Sequence, residues 1–251
     1  FDDYELIVVD DGSTDRTPEI LKNYGDRICV IRRDRNSGLP SAARNTGMAQ
    51  AQGRYMAFLD SDDFWYPKKL AAQTAFMRAH EHVVLSHTFC HVVDETGSVQ
   101  CIRREEEMPR NGDLFVELLN ECFITTSTVM ICRSLYERIG GFNEDPALKR
   151  GEDREFFLRA MEQGEVGFVP EVLAAHRKGP DNVSGEGFAF QKSILHTQQW
   201  IIDHPALWVK RVSTNAPVDA FVRAFKHFSF YWQARHDYRQ ALFFDGRALW
   251  K

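Results

Sequence analysis

Leu6-Ile7-Val8-Val9 runs without a polar residue into Asp10-Asp11-Gly12-Ser13, and Tyr55-Met56-Ala57-Phe58-Leu59 runs in the same way into Asp60-Ser61-Asp62-Asp63. A short apolar run with no polar alternation fits a strand buried on both faces, the environment of a parallel sheet. Helical stretches separate such runs. Residues 18–24 read as a helix with Pro18 in its first turn, and 41–52 as an Ala-rich helix stopped by Gly53. Residues 28–32 read as a second strand, 68–80 as a helix and 83–93 as a strand region. This order predicts an α/β fold built on a doubly wound mixed sheet. Further along, the pattern predicts helices over 113–121 and 154–163 and strands over 127–132 and 166–170. From Phe188 onward it is helical, with breaks at Pro205 and near Pro217. The expected organisation is therefore a domain over 1–187 and a helical C-terminal region over 188–251.

Composition fits this plan. The chain has 251 residues, 43% hydrophobic and 27% charged, as expected of a globular protein able to bury a core without disulfides. Its five cysteines show no CxxC spacing, so reduced thiols and a cytoplasmic setting are expected. No run of 18 apolar residues occurs. The net charge of −5 is unevenly spread, because residues 200–251 hold eight basic residues against four aspartates. Phe221, Phe225, Phe228 and Trp232 recur there at helical spacing. That stripe fits core packing, and its basic setting also fits an anionic membrane surface, here the inner face of the cytoplasmic membrane. No nucleic-acid partner is expected.

The acid clusters carry the chemistry. In an open parallel sheet the carboxyl ends of the strands line the ligand crevice. Carboxylates gathered there repel one another and raise one another's pKa unless a cation or donor groups compensate. Mg²⁺ or Mn²⁺, which takes oxygen ligands and bridges carboxylates to phosphates, is the natural partner. Strand-end aspartates also cap following helices, which is the plainer reading of either cluster alone.

The stretches VVDDGSTD (8–15), NSGLPSAARNTGMAQAQGRYMAFLDSDD (36–63) and GGFNEDPALKRGEDREFFLRA (140–160) resemble family 2 inverting glycosyltransferases of the GT-A fold. The resemblance covers residues 4–184. It implies metal-assisted transfer of a sugar from a nucleotide-sugar donor, a UDP-sugar, to a glycan or lipid-linked acceptor. By the same resemblance Asp11 reads the uracil and Asp10 supports its turn. Arg44 lies near the nucleotide, Asp62 is the metal ligand, and Asp60 lies near the ribose and metal. Asp153 is implied as the catalytic base. Chemistry agrees, since an inverting transfer needs one base on the acceptor hydroxyl and a metal can stabilise the diphosphate leaving group. Glu152 and Asp153 equally fit an acidic first helical turn.

The chain departs from the family pattern in two places. Where many members carry Tyr-Arg-x-His before Asn-x-Ser, it reads His176-Arg177-Lys178-Gly179-Pro180-Asp181-Asn182-Val183-Ser184, without the expected His. His176 then either reaches the metal or diphosphate from a shifted position or simply packs. The family's opening strand and Pro-x-Tyr-Asn turn are also not found. That strand would lie between the 6–9 and 55–59 strands, so a gap is expected in the sheet there and the sequence reads as incomplete. The competing functional reading is a non-catalytic nucleotide-sugar-binding module. A phosphatase built on the Asp-x-Asp fits less well, because no partnering Lys and Thr can be placed.

Overall fold

The structure is a computed structural model that describes residues 1–103, 111–120, 122–179 and Trp200. The helical region expected over 188–251 lies outside the described residues apart from Trp200, which is helical and packs against the main core. The turn at 181–187 and the 187/188 boundary lie outside them as well.

The fold is α/β with a mixed sheet. Strands β1 (Ile7–Asp10) and β2 (Cys29–Arg32) form a parallel pair, linked by helix α1 (Thr17–Lys22). Helix α2 (Pro40–Gln50) packs on β1 and leads to β3 (Tyr55–Ala57). A second sheet runs β3-β7-β5-β8-β4, with β6 (Val99–Ile102) on β5 (Val83–Val93). Strands β7 (Met130–Cys132) and β4 (Phe64–Trp65) are antiparallel to their neighbours, while β5 and β8 (Glu165–Arg177) run parallel. Among the described residues the two sheets share no ladder.

Strand β5 reads Val-Val-Leu-Ser-His-Thr-Phe-Cys-His-Val-Val and is buried on both faces for most of its length, because α3 (Lys69–Ala79) covers one face and α6 (Glu152–Met161) the other. The main core joins Phe58 and Leu85 to Leu135 of α5 (Arg133–Ile139), Leu118 of α4 (Phe115–Asn120), and Phe156 and Phe157 of α6. Phe156 stacks on Phe142 at 4.3 Å, and Phe58 meets Phe142 edge-on at 5.2 Å.

The structure corrects the sequence reading in three places. The strand expected to end at Pro170 continues to Arg177. Pro170 and Glu171 are both exposed and sit in a bulge, where Thr88 pairs with Val169 and Phe89 with Val172. A proline without an N–H is tolerated in a bulge, so the ladder resumes beyond it. The strand expected over 127–132 is confined to β7, because Thr126–Thr128 forms a 3-10 turn first. The short elements β4, β6 and α5 escaped the sequence pattern, being too brief or too irregular for a period to show.

One side chain joins two of the recurring sequence stretches. Asn45 of α2 donates to the Phe142 carbonyl at 2.8 Å and accepts from the Phe142 N–H at 2.7 Å. Gly141 is glycine because its backbone lies against that amide: a Cβ there would fall 2.1 Å from Asn45 Oδ1. Gly141→Ala displaces Asn45 and breaks both bonds. A loss of about 1–3 kcal/mol is expected, the usual cost of orphaned buried polar groups, and urea unfolding measures it.

Candidate active site

The turn after β1 is held from within. Asp10 is buried and accepts the Ser13 N–H at 2.8 Å, with Arg32 Nε 3.6 Å away. Hydrogen bonds from Ser13, hydroxyl first, hold its carboxyl below the usual range. Gly12 has φ 77° and lies against the backbone of Arg35 and Asn36, where a Cβ would meet the Asn36 nitrogen at 2.6 Å. The turn therefore packs closely on the loop before α2. Asp11 accepts the Ser37 N–H at 2.9 Å and its hydroxyl at 2.6 Å, and pairs with Arg33 Nε at 2.8 Å. Asp10 is thus bound within its own turn, and Asp11 stands half-buried against Ser37 and Arg33.

Arg44 lies further along α2. Its guanidinium spans two carboxylates, with one nitrogen 2.7 Å from Asp60 and another 3.0 Å from Glu152. Its ring-face contact is Phe142. Burial works against the Arg44 charge, but Asp60 and then Glu152 outweigh it and hold the guanidinium firmly protonated. Arg44 was expected beside the nucleotide. In this structure it ties the acidic turn after β3 to the start of α6.

In that turn the three aspartates differ. Asp60 pairs with Arg44 and donates its backbone N–H to Ser127 Oγ at 3.1 Å. Asp63 accepts the Ser127 hydroxyl at 2.5 Å and the Arg177 N–H at 2.9 Å, and faces His176 Nδ1 at 3.2 Å. Burial alone would raise the Asp63 carboxyl, but bonds from His176, Ser127 and Arg177 hold it below the ordinary range. Asp62, between them, is exposed. Its carboxyl is raised by partial desolvation and then by the Asp63 and Asp60 charges. His176 is thus set against Asp63, and its Nε2 is enclosed without a hydrogen-bond partner among the described residues.

Among the described residues no three His, Cys, Asp or Glu side chains form a ready-made metal cage. The turn offers instead one exposed carboxylate in surplus negative charge, with Asp60 two residues away. That donor set fits a hard cation which takes one or two carboxylates and completes its shell with substrate phosphates and water. Asp62, with Asp60 beside it, would hold such an ion.

Asp153 sits in the first turn of α6, where backbone N–H groups favour a negative charge. One oxygen accepts the Arg154 N–H at 2.7 Å and the other lies 4.0 Å from Cys122 Sγ. Burial, and then the neighbouring Glu152 charge, raise its carboxyl to about 6, against a partial pull downward from Arg44. Glu152 is buried and committed, one oxygen to Arg44 and the other to the Arg150 N–H at 2.9 Å. Arg44 thus links Asp60 to Glu152, the neighbour of Asp153, and brings the acidic turn and the start of α6 together. Sequence reasoning missed Ser37, Ser127 and Trp65. A lone buried hydroxyl has no period or spacing to announce it, and only the run Thr125-Thr126-Ser127-Thr128 before a strand hinted at one.

Comparison with known proteins places this geometry in a family. Residues 1–140 match the model of glycosyl transferase family 2, and the chain belongs to that family. Relatives include an uncharacterized glycosyltransferase of Rickettsia conorii, 32% identical over 80% of this chain and 32% of its own length. The putative glycosyltransferase EpsE of Bacillus subtilis is 32% identical over 76% of the chain and 68% of its own length. The putative teichuronic acid biosynthesis glycosyltransferase TuaG of the same organism is 33% identical, with 72% and 70% covered. The chain spans about a third of the length of the Rickettsia felis and Rickettsia conorii relatives it matches. Among solved structures, residues 1–349 of S. aureus TarS in complex with UDP-GlcNAc superpose with a TM-score of 0.61 at 18% identity, covering 90% of this chain and 71% of that one. That likeness shows the GT-A-like fold.

Proposed function

We propose that the chain is the sugar-transferring part of an inverting glycosyltransferase that uses a UDP-sugar. The observation that carries this reading is Arg44, which bridges the acidic turn after β3 and the carboxylate pair at the start of α6. TarS has been solved with UDP and with UDP-GlcNAc, which supports a UDP donor, and TuaG by its name supports a polysaccharide acceptor. The acceptor class proposed is a glycan or a lipid-linked glycan. Among the described residues no helix is long and apolar enough to cross a membrane. Contact with a cytoplasmic membrane face is assigned to the basic 188–251 segment.

In this mechanism the Asp11 turn and the head of α2 receive the nucleoside. Asp62, with Asp60, would hold a divalent ion, which would supply positive charge to the diphosphate leaving group. Asp153 takes the proton from the acceptor hydroxyl. The acceptor oxygen bonds to the anomeric carbon from the face opposite the diphosphate, the bond from that carbon to the phosphate oxygen breaks, and UDP leaves. One base suffices because the leaving group needs no protonation. Glu152 stays with Arg44 and takes no proton.

A thermal-shift screen of UDP and UDP-sugars with Mn²⁺ or with EDTA tests the donor half. Melting should rise with UDP and Mn²⁺ together, by the equivalent of about 2.7 kcal/mol at a hundredfold over Kd. EDTA should abolish the rise, and Asp62→Asn should remove the difference between Mn²⁺ and EDTA. Equal stabilisation of the unaltered protein in both conditions would discard the metal from the reading.

A further inference from the structure

The acidic turn hangs on one side chain that is neither an acid nor a metal ligand. Ser127 is fully buried and lies in the 3-10 turn that precedes β7. Its hydroxyl donates to Asp63 Oδ2 at 2.5 Å and accepts the Asp60 N–H at 3.1 Å, so it grips the turn at both ends. Its carbonyl accepts the Trp65 indole N–H at 2.7 Å. Beneath it, Lys69 Nζ lies 4.5 Å from the Trp65 ring and donates to the Thr128 carbonyl at 3.4 Å, which also takes the Gln73 amide at 3.0 Å. Lys69 and Gln73 are both fully buried. On the far side, Asp63 is fixed to the end of β8 by the Arg177 N–H and His176.

We infer that Ser127 is a positioning residue for the donor site: by holding the Asp60 backbone and the Asp63 carboxylate at once, it sets where Asp62 is presented to the metal and diphosphate. The geometry is selective. Asp60 and Asp63 are restrained from below, while Asp62, between them, is the exposed carboxylate of the three. A turn of four residues pinned at its first and last members has little freedom left at its third. The arrangement also explains why a serine is suited to this place. Its one hydroxyl donates to a carboxylate and accepts from an amide at once, a pairing that needs a group able to do both.

This inference rests on the proposed donor site, and the experiment separates the two. The full chain is titrated with Mn²⁺ at fixed UDP, and the half-saturating Mn²⁺ concentration is read from the thermal shift. Deuterium exchange at the Asp60 amide is followed in parallel. Ser127→Ala should raise the half-saturating concentration about 10–100-fold, the usual effect of removing a group that orients a metal ligand. Exchange at Asp60 should quicken. Ser127→Thr, which keeps the hydroxyl, should recover most of the loss. Trp65→Phe keeps the ring over Lys69 and removes only the bond to the Ser127 carbonyl, so it should shift half-saturation in the same direction. It also carries the test if Ser127→Ala does not fold. A Ser127→Ala protein that melts earlier but keeps the original Mn²⁺ half-saturation overturns the inference and leaves the donor site standing, as does an unshifted Trp65→Phe. An unaltered protein that shows no Mn²⁺ dependence overturns both.

Discussion

Asp153→Asn should cut turnover by roughly 10²–10⁴-fold, the worth of a positioned general base, while donor affinity scarcely moves. The substitution keeps the shape of the side chain and its bond from the Arg154 N–H, and removes only the capacity to take a proton. In the proposed mechanism the group acts on the acceptor, whereas the donor is held by the turn after β3, to which Arg44 is paired. Its pH behaviour gives a second readout. Burial and Glu152 raise the Asp153 carboxyl to about 6, so turnover should climb as pH rises through about 6 and level off above it. In Asp153→Asn that limb should vanish.

Stability should respond with the opposite sign. The folded protein holds the Asp153 proton up to about 6, while the unfolded chain gives it up near 3.8. Between those values the folded state binds more protons, so stability falls as pH rises from about 4 to about 6 and the loss is complete above that. At neutral pH, Asp153→Asn should therefore unfold at higher urea while working far less well. That pairing of lost activity with gained stability marks a strained functional carboxylate, and a plain first-turn acid would not produce it. If Asp153→Asn kept near-normal turnover, or lost donor binding instead, the base would lie elsewhere.

The second large effect is expected at Arg44. Arg44→Met keeps much of the side-chain volume but leaves Glu152, which is buried, without its counter-charge. Removing one partner of a buried ion pair costs about 3–5 kcal/mol, because the other charge stays behind desolvated. Urea unfolding should show a loss of that order. Adding Glu152→Gln should recover a large part of it, since no charge is then stranded, and the two changes should be clearly non-additive. The Asp153 carboxyl should rise further in Arg44→Met, because Arg44 is the charge that draws it down, and the acid limb of turnover should move to higher pH. A stability change under about 1 kcal/mol would mean that the Asp60-Arg44-Glu152 bridge is solvent-screened and holds nothing together.

The sequence foretold some layers of this structure better than others. Strands whose burial is uninterrupted were plain, and β5 occupies Val83–Val93 as its apolar run indicates. The acid clusters were legible because carboxylates at strand ends are conspicuous, and Asp10, Asp60 and Asp62 stand in the turns expected. What the chain does not display is which of several acids is committed. Asp63 stands in the same acidic run as Asp60 and Asp62, yet its oxygens are occupied by Ser127, Arg177 and His176. Arg44 is expected near the nucleotide, but nothing in the sequence announces that its guanidinium pairs with Asp60 and Glu152, residues 16 and 108 positions away. Such pairings depend on long-range approach, which no local period records. Pro170 misled for a related reason: its effect on a strand depends on whether the partner ladder can bulge around it.

In the proposed mechanism the turn after β3 holds the diphosphate of a UDP-sugar through a divalent ion, opposite Asp153. The direct measurement is a crystal of the protein with UDP and Mn²⁺, using anomalous scattering to locate the metal. The account predicts one Mn²⁺ at roughly 2–2.6 Å from an Asp62 oxygen, the range for a hard cation on a carboxylate. The diphosphate should lie on the metal, the uracil beside Asp11, and the Asp153 carboxylate across an open space wide enough for a sugar. A metal bound away from the 60–63 turn, or UDP seated where Asp153 cannot face its diphosphate, would contradict it.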